Sequence, residues 1–174
     1  MVTPGVFQTI NPATGEVLSE HPTIADGDVD GIVATSREAF ASWHSLSIEE
    51  RAAKVEKLAS LLEENADELA SIMTKDMGKP LHEAKDETEF SAEIFRYYAT
   101  NGPKFAADQQ VSEDDETISY IQRRPVGPLL GIMPWNFPYY QIARFAAPNL
   151  VLGNTIILKH AESCPESALA MQRV

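Results

Sequence analysis

The chain has one cysteine, Cys164, in 174 residues, so an intrachain disulfide framework is impossible. That fits a reducing compartment, and a cytoplasmic location is the expectation. Long apolar runs are also missing: nothing approaches the twenty or so residues a membrane-spanning helix needs. The opening MVTPGVFQTI lacks the basic start and apolar centre of a signal peptide. Basic residues are scarce, 14 Lys and Arg against 26 Asp and Glu, which leaves a net charge of −12. A phosphate backbone or an anionic bilayer surface would be repelled on average, so neither nucleic acid nor membrane is an expected partner. Neither a GxGxxG turn nor a P-loop occurs, which removes the commonest phosphate cradles. There is no internal repeat and no low-complexity tract.

What is present reads as an α/β chain of about one domain. Phe7–Ile10 and Glu16–Leu18 flank Asn11-Pro12-Ala13-Thr14-Gly15, turn chemistry between two strand-like runs, and predict a hairpin. Val29, Ile32, Val33, Ser36, Phe40 and Trp43 recur at helical spacing behind Asp26 and Asp28 as candidate caps. A second helix opens on the capping box Ser47-x-x-Glu50. It carries Ala52, Val55, Leu58, Leu62, Ala66, Leu69 and Met73 as one stripe as far as Gly78. A third begins at Pro80, with Leu81, Ala84, Thr88, Ser91, Phe95 and Tyr98 on one face, and the pattern changes after Asn101-Gly102-Pro103. Residues 108–116 are polar and acidic and read as a loop, and 117–124 alternate like a strand. Leu129–Met133 and Thr155–Lys159 are short continuous apolar runs, as in parallel strands buried on both faces. With a helix over 139–152 between them they make one βαβ unit, and two such strands alone leave unpaired edges.

The chemistry-bearing residues cluster at the carboxyl ends of those two strands, where open α/β sheets hold ligands. Asn136 offers a neutral N–H donor there, suited to a developing oxyanion; the plainer role is a cap for the helix behind Phe137-Pro138. Lys159 and Glu162 suit the hydroxyls of a ribose, or else form a solvated strand end. Asn136, Tyr140 and Arg144 recur at i, i+4 and i+8. Read as one helix face, they put a guanidinium beside the Asn, unusual unless an anion binds; the alternative is an exposed Arg paired with an acidic neighbour. Cys164, before Pro165 at a helix start, reads as a small buried residue rather than a nucleophile.

Gly131-Ile132-Met133-Pro134-Trp135-Asn136-Phe137-Pro138, Ala147–Thr155 and Leu158-Lys159-His160-Ala161-Glu162 resemble the NAD(P)-dependent aldehyde dehydrogenase superfamily. Asn11–Glu16 and Met77-Gly78-Lys79-Pro80 resemble its earlier signatures, so the likeness runs over nearly the whole chain. The resemblance implies a hairpin and helices leading into the first βαβ unit of a Rossmann-like sheet, cut short. It divides the chain into 1–116, a hairpin and helical part of the cofactor-binding domain; 117–128, a bridging strand of oligomerisation type; and 129–174, the start of the NAD(P)-binding sheet. It also implies a homo-oligomer for the full-length form.

By the same resemblance, Asn136 matches the oxyanion-holding Asn. Ile132, Met133, Pro134 and Trp135 match the wall beside the cofactor, and Lys159, His160, Ala161 and Glu162 match the adenosine-ribose segment. Tyr140 and Arg144 match the substrate approach of the succinate-semialdehyde branch, where an Arg takes the substrate carboxylate. The implied cofactor is NAD, with NADP possible, since Glu162 would repel a 2′-phosphate at close range. The implied reaction oxidises a short carboxylated aldehyde to the acid. The family's nucleophilic Cys and general-base Glu fall after Val174, so this chain alone is expected to be inactive; the alternative is a remnant that binds nucleotide weakly or assembles with a partner.

Overall fold

The computed structural model describes residues 5–174. Strands β1 (Val6–Ile10) and β2 (Val17–Pro22) form the expected antiparallel hairpin. Its turn is closed locally, because the Asn11 carboxamide oxygen accepts from the Ala13 N–H at 2.9 Å. After a 3₁₀ turn at Asp26–Asp28, α1 runs Val29–His44. Only the second half of its apolar stripe is covered. Val29 and Ile32 stay exposed, while Trp43 donates its indole N–H to the Leu150 carbonyl at 2.9 Å and the Ser36 hydroxyl lies 3.2 Å from that of Thr155.

Helix α2 (Ile48–Glu64) starts on the capping box read from sequence. The Glu50 N–H donates to Ser47 Oγ at 3.1 Å, and the Ser47 N–H donates to Glu50 Oε2 at 2.7 Å. Ser47→Ala should therefore lower stability by about 1 kcal/mol, read as a fall in urea midpoint with unchanged slope.

The long stripe from Ala52 to Met73 is not one helix. It breaks at Asn65, whose backbone N–H and side-chain amide both donate to the Leu61 carbonyl, at 3.1 and 2.7 Å. An Asn competing for a helix carbonyl favours this kind of local exit. A new helix, α3, then runs Ala66–Met77. The stripe keeps its phase across the break, since Leu62, Ala66, Leu69 and Met73 are all buried. Gly78 ends α3 in the left-handed region at φ 80°, where a Cβ would stand 2.9 Å from Pro12 Cγ. Any side chain there is both strained and obstructed.

Helix α4 (Leu81–Ala106) continues through Gly102-Pro103 instead of stopping there. Gly102 sits so close to Val151 that a Cβ would fall 2.5 Å from its Cγ1, and this packing outweighs the weak local propensity. The segment read as a loop contains a strand. β3 (Gln109–Glu113) pairs antiparallel with β4 (Ile118–Ile121), and Asp114 closes the turn by accepting from the Glu116 and Thr117 N–H groups at 3.0 and 2.8 Å. Polar composition hid the strand because both faces of this hairpin are exposed.

Strand β5 (Pro128–Ile132), helix α5 (Pro138–Leu152) and strand β6 (Thr155–Lys159) form the predicted βαβ unit, the strands parallel with Ile132 opposite Lys159. Helix α6 (Pro165–Arg173) follows. The core lies between α2, α4 and α5, where Val55, Leu62, Phe95, Tyr139, Ile142 and Val151 are buried together. The two strands are not buried on both faces: Leu130 is 62% and Ile132 70% exposed. A sheet of two strands flanked by α1 and α5 has too little cover for them, and its outer edges are unpaired among the described residues.

Candidate functional site

The parallel register brings the two motif-bearing segments side by side. Beyond Ile132 the ladder makes one further bond, Met133 N–H to the Lys159 carbonyl at 3.0 Å, and then both chains leave the sheet. Residues 135–137 bend before α5, and 160–164 turn into α6. Asn136 and the Lys159–Glu162 segment therefore sit at adjacent strand ends, as the sequence implied.

Asn136 is exposed and does not cap α5. The cap position is Phe137, and the first N–H groups of the helix are met from elsewhere. Glu87, buried in α4, accepts from the Tyr139 and Tyr140 N–H groups at 3.0 and 3.2 Å through Oε1. Its other oxygen pairs with Lys79, also buried, whose ammonium lies 3.9 Å from the centre of the Phe137 ring. With that work done by Glu87, the Asn136 carboxamide is left for another partner. The reading of Asn136, Tyr140 and Arg144 as one helix face is corrected on the same ground, because Asn136 precedes the helix. Tyr140 and Arg144 do share a face, with the guanidinium 5.7 Å from the Tyr140 ring centre. Arg144 is exposed and has no acidic partner among the described residues. Phe137 meets Tyr140 edge-on at 5.9 Å and Phe90 stacks on it at 5.7 Å, so the approach past Arg144 is aromatic.

Lys159 and Glu162 are exposed, and neither enters an ion pair among the described residues. Trp135, 55% exposed, helps line a cleft of about 390 Å³ with Ser163, Asp76, Met77 and the hairpin residues Gln8, Ile10 and Pro12. Asp76 fastens α6 there. Its Oδ2 accepts from the Ser167 N–H at 2.8 Å and the hydroxyl at 2.9 Å, and burial raises its pKa above the usual carboxylate value.

His160 and Ala161 are partly buried, and His160 makes structural contacts through its ring. Cys164 is fully buried, with a thiol pushed up to about 12 by burial, which suits an inert residue. Lys79 and Glu87 were not singled out for a role from sequence. The available signal was an acid, Glu87, within the apolar face of α4 beside Ala84, Thr88 and Ser91.

The model of the aldehyde dehydrogenase family matches residues 2–174. The chain is 42% identical over 168 residues to the NADP(+) succinate-semialdehyde dehydrogenase of Deinococcus radiodurans, covering 97% of this chain and 35% of that protein. It is 44% identical over 169 residues to that of Mycobacterium avium, covering 95% and 36%. The solved succinic semialdehyde dehydrogenase of Streptococcus pyogenes, in complex with NADP+, superposes with a TM-score of 0.89 at 38% identity over 96% of this chain and 37% of that one. The chain thus spans about a third of the length of the curated relatives it matches. With the family model covering nearly every residue and the motif-bearing strand ends lying side by side, this chain belongs to the aldehyde dehydrogenase family.

Proposed function

We propose that this chain carries the oxyanion donor, the cofactor wall and the substrate-carboxylate group of an NAD(P)-dependent oxidation of a short carboxylated aldehyde, of the succinate-semialdehyde type. The observation that carries this is the uncommitted Asn136 carboxamide just before α5, the helix that also bears Arg144, which has no ion-pair partner among the described residues. Asn136 donates its N–H to the oxygen that gains charge as the aldehyde carbon becomes tetrahedral. Arg144 holds the carboxylate at the far end of the substrate with two parallel hydrogen bonds, and Tyr140 supports the guanidinium.

Lys159 and Glu162 fit an adenosine ribose, being exposed and unpaired at the carboxyl end of β6. Ile132, Met133, Pro134 and Trp135 form the wall, and His160 and Ala161 belong with Lys159 and Glu162 to the ribose segment. Bound nicotinamide supplies a hydride acceptor. Glu162 accepts from the ribose hydroxyls, and Lys159 offers a cation to a 2′-phosphate, so both NAD and NADP are accommodated. The relatives named for NADP(+) support the second.

Within this chain Cys164 is the only thiol, and its burial keeps it protonated, so turnover needs a nucleophile from other residues. The division into 1–116, 117–128 and 129–174, a homo-oligomeric assembly and a cytoplasmic setting belong to the same reading. The exposed β3–β4 hairpin supports the second of these, and the single unbridged cysteine supports the third. No helix among the described residues is long and apolar enough to cross a membrane.

The test places residues 1–174 into the Deinococcus relative in place of its own matching segment. Asn136→Ala should lower kcat by about 10²–10³-fold. Arg144→Ala should raise KM for succinate semialdehyde while leaving KM for an uncharged aldehyde of similar length unchanged. Equal KM changes for both substrates would remove the carboxylate role. Nucleotide binding without turnover in the unsubstituted chimera would point instead to a non-catalytic remnant.

A further inference from the structure

His160 leaves β6 with a ring that makes three contacts. Its Nε2 lies 3.1 Å from the Pro138 carbonyl, which can only accept, so Nε2 carries a proton. Nδ1 is approached by two donors, the Ala161 N–H at 2.8 Å and the Cys164 thiol at 3.1 Å. One neutral tautomer satisfies all three contacts. A doubly protonated ring would lose two of them, and burial does hold the His160 pKa below the ordinary imidazole value. The thiol keeps its proton for the same reason, being buried.

One of these contacts, from Nε2 to the Pro138 carbonyl, joins two segments that the backbone ladder does not reach. Pro138 is the first residue of α5 and follows the Asn136 turn; Ala161 adjoins Glu162, and Cys164 precedes α6. The backbone ladder between the segments ends at Met133. Past it, the His160 ring is the one hydrogen-bonded link between residues 134–138 and 160–164 among the described residues. We propose that His160 is a positioning residue, holding the Asn136 turn in register with the Lys159–Glu162 segment. The functional weight of the link rests on the reading of those residues given above, while the link itself is a property of the chain.

The side-chain amide of Gln extends far enough to replace Nε2–H, whereas that of Asn supplies an acceptor near the Nδ1 position but falls short of Pro138. In nitrogen-edited NMR of the chain, His160 should show a protonated Nε2 and an unprotonated Nδ1. His160→Asn should shift the Asn136 side-chain amide and the Trp135 and Phe137 backbone amides, with about tenfold faster hydrogen exchange at those backbone sites. Amides of α2 to α4 should stay unchanged, and His160→Gln should restore the wild-type positions. An unmoved Asn136 region in His160→Asn, a loss spread evenly over α2 to α4, or failure of Gln to restore it overturns the proposal. The opposite tautomer in the wild-type chain does so without any variant. Adding NADP+ should shift the amides of Lys159 to Glu162 and, through the ring, the Asn136 side chain. Silence at Lys159 to Glu162 would remove the nucleotide reading, while the variant comparison, made without nucleotide, still decides the role of His160.

Discussion

Glu87→Ala is expected to cost about 3–5 kcal/mol of folding stability, because it strands a buried cation and uncaps a helix in one step. Lys79 and Glu87 are both buried, and Glu87 also accepts from the Tyr139 and Tyr140 N–H groups at 3.0 and 3.2 Å. Removing the carboxylate leaves the ammonium facing the Phe137 ring at 3.9 Å with no counter-charge, and leaves two donors at the start of α5 unmet. The loss should appear in urea unfolding followed by far-UV circular dichroism. Glu87→Gln should cost less than Ala, since one oxygen remains for the two N–H groups. In a double-mutant cycle, Lys79→Met with Glu87→Gln should be less destabilised than the sum of the two single changes. A loss below about 1 kcal/mol for Glu87→Ala would show that the pair contributes little beyond packing. The effect also bears on the site, for the Phe137 turn that presents Asn136 is held between this pair and the helix it caps.

The second large effect lies at the other end of α5. Arg51, buried in α2, donates from Nε to the Val151 carbonyl at 3.0 Å, from Nη2 to the Leu152 carbonyl at 3.3 Å, and from Nη1 to the Leu46 carbonyl. No carboxylate pairs with it among the described residues, so these carbonyls and the C-terminal end of the α5 dipole are what hold the charge. Arg51→Met should lose about 2–4 kcal/mol, the cost of leaving the buried Val151 carbonyl and the partly buried Leu152 and Leu46 carbonyls unmet and a helix end unanswered. Arg51→Lys should recover only a small part, because a point ammonium cannot reach three carbonyls with the spread of a planar fork. Thermal and urea unfolding read both variants, and a Lys variant within about 0.5 kcal/mol of wild type would show that charge, and not the fork, is what matters. Together Glu87 and Arg51 fasten both ends of the helix on which Tyr140 and Arg144 stand.

Local signals carried the reading where they were self-contained. The capping box at Ser47 and the Asn11–Gly15 turn appear where spacing placed them because their partners lie within a few residues, and the two apolar runs around α5 do so because one connecting helix brings them into parallel register. The errors arose where a distant contact or a competing bond decided. Asn65 broke a stripe that had kept perfect helical phase, and Val151 against Gly102 carried α4 through two residues that usually stop a helix. Strand β3 escaped because a polar strand exposed on both faces has no apolar alternation to show, whereas β4 lies within the alternating run 117–124.

The sequence by itself determined the family, the βαβ unit, and the placement of Asn136, Lys159 and Glu162 at neighbouring strand ends. Those depend on motif order and on a parallel register that apolar runs and their connecting helix dictate. Tertiary structure alone decided that Asn136 is left uncommitted, how deeply the Cys164 thiol is buried, and that His160 spans the two halves of the site. In each case the deciding partner, whether Glu87 at α5, the buried surroundings of the thiol or the Pro138 carbonyl, lies far away in sequence or depends on burial. Hydrogen-bond satisfaction and desolvation act through space, and no periodicity along the chain reports them.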